Sequence, residues 1–132
     1  MLVNGKHFRS IWRDKSNGKI KIIDQTKLPH RFEILTIDTL HNAMLAIKDM
    51  KVRGAPLIGV TAAYGMAIAM QEDSSDYNLD YASNYLNSSR PTAVNLKWAI
   101  EKILKELSIL KIAERSSIAM NLADQMAEED VQ

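Results

Sequence analysis

Hydrophobic positions change their period near residue 38. Before it, apolar residues alternate or bunch over short runs. Phe8 to Arg13 and Lys19 to Ile23 flank Asp14 to Gly18, where Asn17-Gly18 is a hairpin dipeptide because both residue types tolerate positive φ. A third run, Arg31 to Ile37, follows the turn at Leu28-Pro29, and its Phe32/Ile34 and Leu35/Ile37 sets fall on opposite faces of a pleated strand. The pattern predicts a small antiparallel three-stranded sheet.

After Asp38 the period becomes helical. Leu40, Ala43, Met44, Ile47 and Met50 form one stripe, with Asp38 or Thr39 as N-cap. A second helix is expected to begin at Pro56, a residue favoured at the first helical position because its missing N–H is not needed there. Its Ala55, Gly59, Ala63 and Ala67 stripe admits a neighbouring backbone closely, so this helix should be central and buried. The apolar run from Pro56 to Met70 is shorter than the roughly 20 residues a membrane span requires, and it contains Thr61 and Tyr64. A polar loop from Glu72 to Asn78 should lead into a short helix, Asp80 to Leu86, stopped by Ser88-Ser89-Arg90-Pro91, where another begins. Leu96, Ile100, Ile103, Leu107 and Leu110 then give a long helix one apolar seam. The last segment, Ala113 to Val131, carries Ile118, Leu122 and Met126 on one face and has no Gly or Pro stop. From that unpunctuated period we expect a piece of something longer, with a partner for the face. The fold class is therefore α+β: a sheet part over about 1–37 and a helical bundle over about 38–132, together one domain.

Composition narrows the function classes. At 132 residues the chain fits one domain, and 46% apolar with 25% charged residues suits a globular core. Lys plus Arg number 17 against 16 acids, a formal charge of +1, which lacks the basic excess of a nucleic-acid binder. No cysteine is present, so disulfides, thiolate ligands and thiol nucleophiles are excluded within these residues. The segment from Met1 to Arg9 has no apolar stretch of the secretory kind, and a cytoplasmic location is the default. His7, His30 and His41 lack metal-ligand spacing, and no metal or cofactor is assigned. The seven methionines suit core filling, and Trp12 and Trp98 suit core anchors with one hydrogen bond each.

Two segments share a design that suits anion binding: Arg53-Gly54-Ala55-Pro56 and Ser88-Ser89-Arg90-Pro91-Thr92, each an arginine ahead of a proline-started helix. First-turn N–H groups lack helical partners and carry the positive end of the dipole, while Arg offers a planar two-point donor. The same pattern also suits a surface arginine or an ion-pair partner. Asp24-Gln25-Thr26 could orient a substrate hydroxyl, or close an Asx turn at the strand exit, which is the commoner use.

Ile23-Asp24-Gln25-Thr26 with Leu28-Pro29, Val52-Arg53-Gly54-Ala55-Pro56 with Ala62-Ala63-Tyr64-Gly65, and Arg90-Pro91-Thr92-Ala93-Val94-Asn95-Leu96 with Trp98-Ala99 resemble the 5-methylthioribose-1-phosphate isomerase family. These are aldose-ketose isomerases of methionine salvage. They share a superfamily with the regulatory subunits of the initiation factor 2B complex and with ribose-1,5-bisphosphate isomerase, which remain the alternatives. The resemblance covers the family's N-terminal third. It implies that Arg53, Gly54, Ala55 and Arg90 bind a phosphorylated sugar. It also implies that the catalytic cysteine and aspartate belong to a Rossmann-like second domain beyond Gln132, that this domain alone is inactive, and that the whole protein is a homodimer without nucleic-acid or membrane partners.

Overall fold

The computed structural model describes residues 2–130 apart from 4, 5, 8, 9, 15, 29 and 53. A two-residue hairpin, β1 (Leu2–Val3) with β2 (Lys6–His7), precedes the expected sheet and was not foreseen from the alternation. The main sheet is β3 (Ile11–Arg13), β4 (Ile20–Ile23) and β5 (Ile34–Ile37), an antiparallel meander in the order β3-β4-β5. Its register pairs Ile11 with Ile22 and Ile20 with Ile37, so one face delivers four isoleucines to the core. Among the described residues of the connection before β4, only Gly18 takes positive φ, at 73°, and Asn17 instead accepts the Lys19 N–H on its side chain. The two-residue turn with both positions left-handed does not form. The described connection closes instead where Asp14 N donates to Lys19 O at 2.7 Å.

Five helices follow: α1 (Leu40–Lys48), α2 (Ala55–Glu72), α3 (Asp76–Asn87), α4 (Val94–Ser108) and α5 (Ile112–Asp130). Thr39 caps α1 by accepting the Asn42 N–H. Met50 does not extend the α1 stripe. It sits at φ 60° just past the helix, where its N–H donates to Ile47 O and Lys51 N donates to Ala46 O, the two bonds of a Schellman ending normally built on glycine.

Helix α2 is buried continuously from Leu57 to Met70 and packs against each of the other four helices. Pro56 occupies its second position, one later than expected, behind Ala55 and the N-cap Gly54. Thr61 is accommodated by donating its hydroxyl to Leu57 O at 2.8 Å. A Cβ on Gly65 would lie 2.9 Å from the Ala43 Cβ and 3.3 Å from Leu86, while one on Gly59 would lie 3.3 Å from Ala99. Small residues therefore set how closely α1, α3 and α4 approach. No described helix is long and apolar enough to cross a membrane.

The polar run before α3 is cap chemistry rather than loop. Ser75 accepts the Asn78 N–H, and the Asn78 amide donates to Ala69 O and Asp73 O, so the helix starts at Asp76 instead of Asp80. Helix α4 starts later than expected, at Val94, because Ala93 N donates to Arg90 O and puts Pro91 second in a four-residue turn, a place proline fits as well as a helix start. Its Leu96, Ile100, Ile103 and Leu107 seam is buried as read, with Leu110 beyond the helix end. Trp98 is not a core anchor: it is 61% exposed, with the Lys102 ammonium 5.4 Å from its ring centroid. Trp12 is half-buried.

On α5 the buried stripe is Arg115, Ala119, Ala123 and Ala127 with Met120, while Ile118, Leu122 and Met126 are half-buried at the edge of the core. The face expected to need an outside partner is thus partly covered within this chain. Arg115, 3% exposed, donates to Leu107 O and Ser74 O and pairs with Asp76 at 2.6 Å, tying α5 to the end of α4 and to the turn that opens α3.

Two glycine exchanges should move stability in opposite directions. Gly65→Ala forces a methyl against Ala43 and Leu86 and should cost about 1–3 kcal/mol. Met50→Gly relieves a left-handed backbone at an exposed residue and should gain about 0.5–1 kcal/mol. Urea unfolding midpoints of the two variants against wild type check both signs.

Candidate anion site

Capping separates the helix starts. Those of α1 and α3 are closed by the hydroxyls of Thr39 and Ser75, whereas neither Gly54 at α2 nor Ala93 at α4 supplies a side-chain cap. Among the starts of α1 to α4, the two without a side-chain cap are the two that follow the arginine segments. At α2, helix geometry leaves the first-turn donors without partners inside the helix, and Pro56 contributes none, so Gly54, Ala55 and Leu57 are the available N–H groups. Gly54 has φ 92° and ψ 137°, a backbone that side-chain-bearing residues rarely adopt, and a Cβ there would meet nothing within 4 Å. Its glycine answers the backbone angle rather than crowding, and the space in front of it is open.

Of the four residues read as a site, Gly54 and Ala55 lie together at this start, Gly54 exposed and Ala55 half-buried. Arg53 lies outside the described residues. Arg90 is half-buried in the turn before α4, four residues ahead of the helix rather than beside its first turn. The contact of Gly59 with Ala99 relates the two segments, since it falls four residues into α2 and five into α4. Each helix start therefore lies within about 6–8 Å of that crossing along its own axis.

The approach to Gly54 is anchored on the sheet. Asp24, at the exit of β4, is 1% exposed, and its Oδ1 accepts the Thr26 N–H at 3.0 Å and the Thr26 hydroxyl at 2.5 Å. This is the Asx turn that the sequence left as one of two options. Its Oδ2 lies 3.4 Å from Lys51 Nζ, and Gln25 N donates to Lys51 O at 3.0 Å. Burial disfavours the Asp24 charge, but the Thr26 hydrogen bonds and then the Lys51 ammonium outweigh it and hold the carboxyl below the ordinary 3.8. Lys51 was missed in the sequence, because nothing local to it signals a carboxylate 27 positions earlier.

His30 is exposed, and His41 shares a hydrogen bond between Nδ1 and the Tyr85 hydroxyl, with its ring stacked on Tyr85 at 6.0 Å. The His7 side chain lies outside the described residues.

Residues 51–132 match the model of the Initiation factor 2 subunit family. A methylthioribose-1-phosphate isomerase of Escherichia coli O45:K1 is 47% identical over 131 residues, covering 99% of this chain and 35% of that protein. Among solved structures, subunit delta of the translation initiation factor eIF-2B from A. fulgidus superposes with a TM-score of 0.81 at 37% identity, covering 94% of this chain and 38% of that one. The 5-methylthioribose 1-phosphate isomerase of Pyrococcus horikoshii OT3 does so with a TM-score of 0.81 at 32% identity, covering 95% and 37%. The chain spans about a third of the length of the curated relatives it matches.

A carboxyl held low in the folded state stabilises the fold above its ordinary value and loses that contribution as pH falls through 3.8 and below. Wild-type stability should therefore decline between about pH 5 and pH 2 more steeply than that of Asp24→Asn, which should already be weaker by about 1–3 kcal/mol at pH 7. Urea denaturation across that range measures both.

Proposed function

We propose that this chain, which belongs to the Initiation factor 2 subunit family, is the phosphate-holding N-terminal domain of a 5-methylthioribose-1-phosphate isomerase. The observation that carries the reading is the uncapped start of α2 behind a glycine at φ 92°, in a bundle whose α1 and α3 starts are capped. Such a start offers backbone donors and a positive dipole end to an anion without further rearrangement. Arg53 would supply the two-point contact to phosphate oxygens, Gly54 and Ala55 the backbone donors, and Arg90 a second cation from the turn before α4.

The 47% identity to a named isomerase supports an enzyme over a regulatory subunit. The solved structures favour neither, since an initiation-factor subunit and an isomerase superpose equally well. In the isomerase reaction the anomeric oxygen carries phosphate, so the ring cannot open as a free sugar would. A proton or hydride must pass between C1 and C2 under acid–base control. This chain has no cysteine, and the acid–base groups would come from a second, Rossmann-like domain, with the phosphate gripped here and water excluded between the two. On this reading the complete enzyme is a cytoplasmic homodimer, and this chain alone does not catalyse.

Inorganic phosphate titrated into the chain should shift the Gly54 and Ala55 amide resonances with an affinity on the order of millimolar, weakening as salt is added. Arg53→Ala should weaken it most and Arg90→Ala less. Shifts absent at those amides, or undiminished in Arg53→Ala, would contradict the assignment.

A further inference from the structure

The end of the bundle opposite Gly54 carries a groove and, beside it, a projection of matching character. Helices α3 and α4 leave between them a groove of about 450 Å³ lined by Asp76, Leu79, Asp80, Glu101, Leu104 and Lys105. Leu79 is buried and Leu104 half-buried, so its base is apolar, while three exposed carboxylates outnumber the single ammonium around them. Asp76 is taken by Arg115 at 2.6 Å, whereas Asp80 and Glu101 form no ion pair among the described residues. Ser108 also lines the groove, and directly after it the chain turns from α4 into α5 through Ile109-Leu110-Lys111-Ile112. Ile109 is 83% and Ile112 53% exposed, on either side of an exposed Lys111. The corner is fixed in place: Leu110 N donates to Leu107 O, Glu114 N to Lys111 O, and the buried Arg115 joins it to Ser74 and Asp76 at the groove's own edge. Scattered exposed apolar residues need no explanation, but two isoleucines around a cation, pinned beside a groove of the opposite composition, are not scattered.

We propose that corner and groove together form a self-association surface, on which a second copy of this chain lays its Ile109 and Ile112 over Leu104 and its Lys111 against Asp80 and Glu101. Because projection and groove adjoin on one face, a two-fold axis between them puts each corner in the other copy's groove, so the patch is used twice and the contact closes at a dimer. Composition selects this occupant. A small cation would satisfy the carboxylates and leave the isoleucines in water, whereas a second copy covers both and brings the ammonium with them. The 18-residue α2 puts about 25 Å between Gly54 and its far end at Asp73, so the surface leaves the α2 start open and does not depend on the anion reading. Two contacts this small lie at the low end of interface sizes, and the dimer should be weak, with a dissociation constant on the order of 100 µM.

Sedimentation equilibrium from about 10 µM to about 1 mM tests this, and wild type should pass from monomer toward dimer across that range. Ile109→Asp sets a carboxylate against the groove and should weaken association about tenfold or more, while Asp80→Lys and Lys111→Glu should each weaken it about three- to tenfold. All three exchanges fall at exposed residues and leave the core untouched. Mixed in equal amounts, the Asp80→Lys and Lys111→Glu variants should regain wild-type affinity, since each then offers the charge the other lacks, and the variant carrying both exchanges should regain it as well. A wild type that stays monomeric throughout, association that survives Ile109→Asp, or charge reversals that are not rescued by mixing would each overturn the proposal. A second measurement locates the contact. The chain has no cysteine, so Ala113→Cys at an exposed position accepts a single nitroxide label. Mixed with nitrogen-15-labelled wild type, it should broaden the Asp80 and Glu101 amides of the isotope-labelled copy. Broadening that spares those amides and falls elsewhere would overturn the assignment even where a dimer forms.

Discussion

Helix α2 can exist only inside other helices. Its residues from Leu57 to Met70 are all buried, so it has no face to give to water, and exposing even its larger members would cost about 1.5–3 kcal/mol each. The other four helices are arranged by what α2 allows: Gly65 admits α1 and α3, Gly59 admits α4, and α5 lays an alanine stripe on the same core. Within that buried run Thr61 and Tyr64 spend their hydroxyls on Leu57 O and Asp124, and further polar contacts lie at the helix ends. The C-terminal end is consumed by caps, with Asp73 N on Ala69 O and the Asn78 amide on the same carbonyl. The N-terminal end is left open, with no side-chain cap behind Gly54.

The sheet serves this arrangement through two links. Its isoleucine face closes the core beside α1 and α5, and Asp24 at the β4 exit reaches Lys51 in the loop between α1 and α2. On the far side Arg13 of β3 pairs with Asp124 at 2.8 Å, and the same carboxylate accepts the hydroxyl of the buried Tyr64 at 2.7 Å, so β3, α2 and α5 meet at one aspartate. Both links place a carboxylate where a strand meets the bundle, which fixes the sheet against helices that small apolar residues alone would let slide.

What could be read along the chain was what neighbouring residues decide among themselves. The change of period near Asp38, the buried stretch from Leu57 to Met70 within the apolar run read from Pro56, and the seam from Leu96 to Leu107 all follow from spacing. Proline and serine are ambiguous along the chain where two local solutions compete. Pro91 suits a helix start and the second place of a turn equally, and the Ala93 bond to Arg90 selects the turn. Ser75 could sit in a loop or cap a helix, and it caps. Contacts across long separations left no trace: Lys51 with Asp24, and Arg115 with Ser74 and Asp76, depend on packing that spacing does not encode. For the site, the glycine ahead of a proline-bearing helix start is legible in Arg53-Gly54-Ala55-Pro56, whereas the missing side-chain cap and the displacement of Arg90 from the first turn of α4 are not.

The central claim is that close packing around α2 leaves its first turn as a ready anion site. Crystals of the chain soaked in selenate would locate a bound anion directly by anomalous scattering. The account predicts a peak within about 3 Å of the Gly54 and Ala55 nitrogens. A peak at another helix start with none at α2, or an α2 start that stays empty at tens of millimolar selenate, would contradict it.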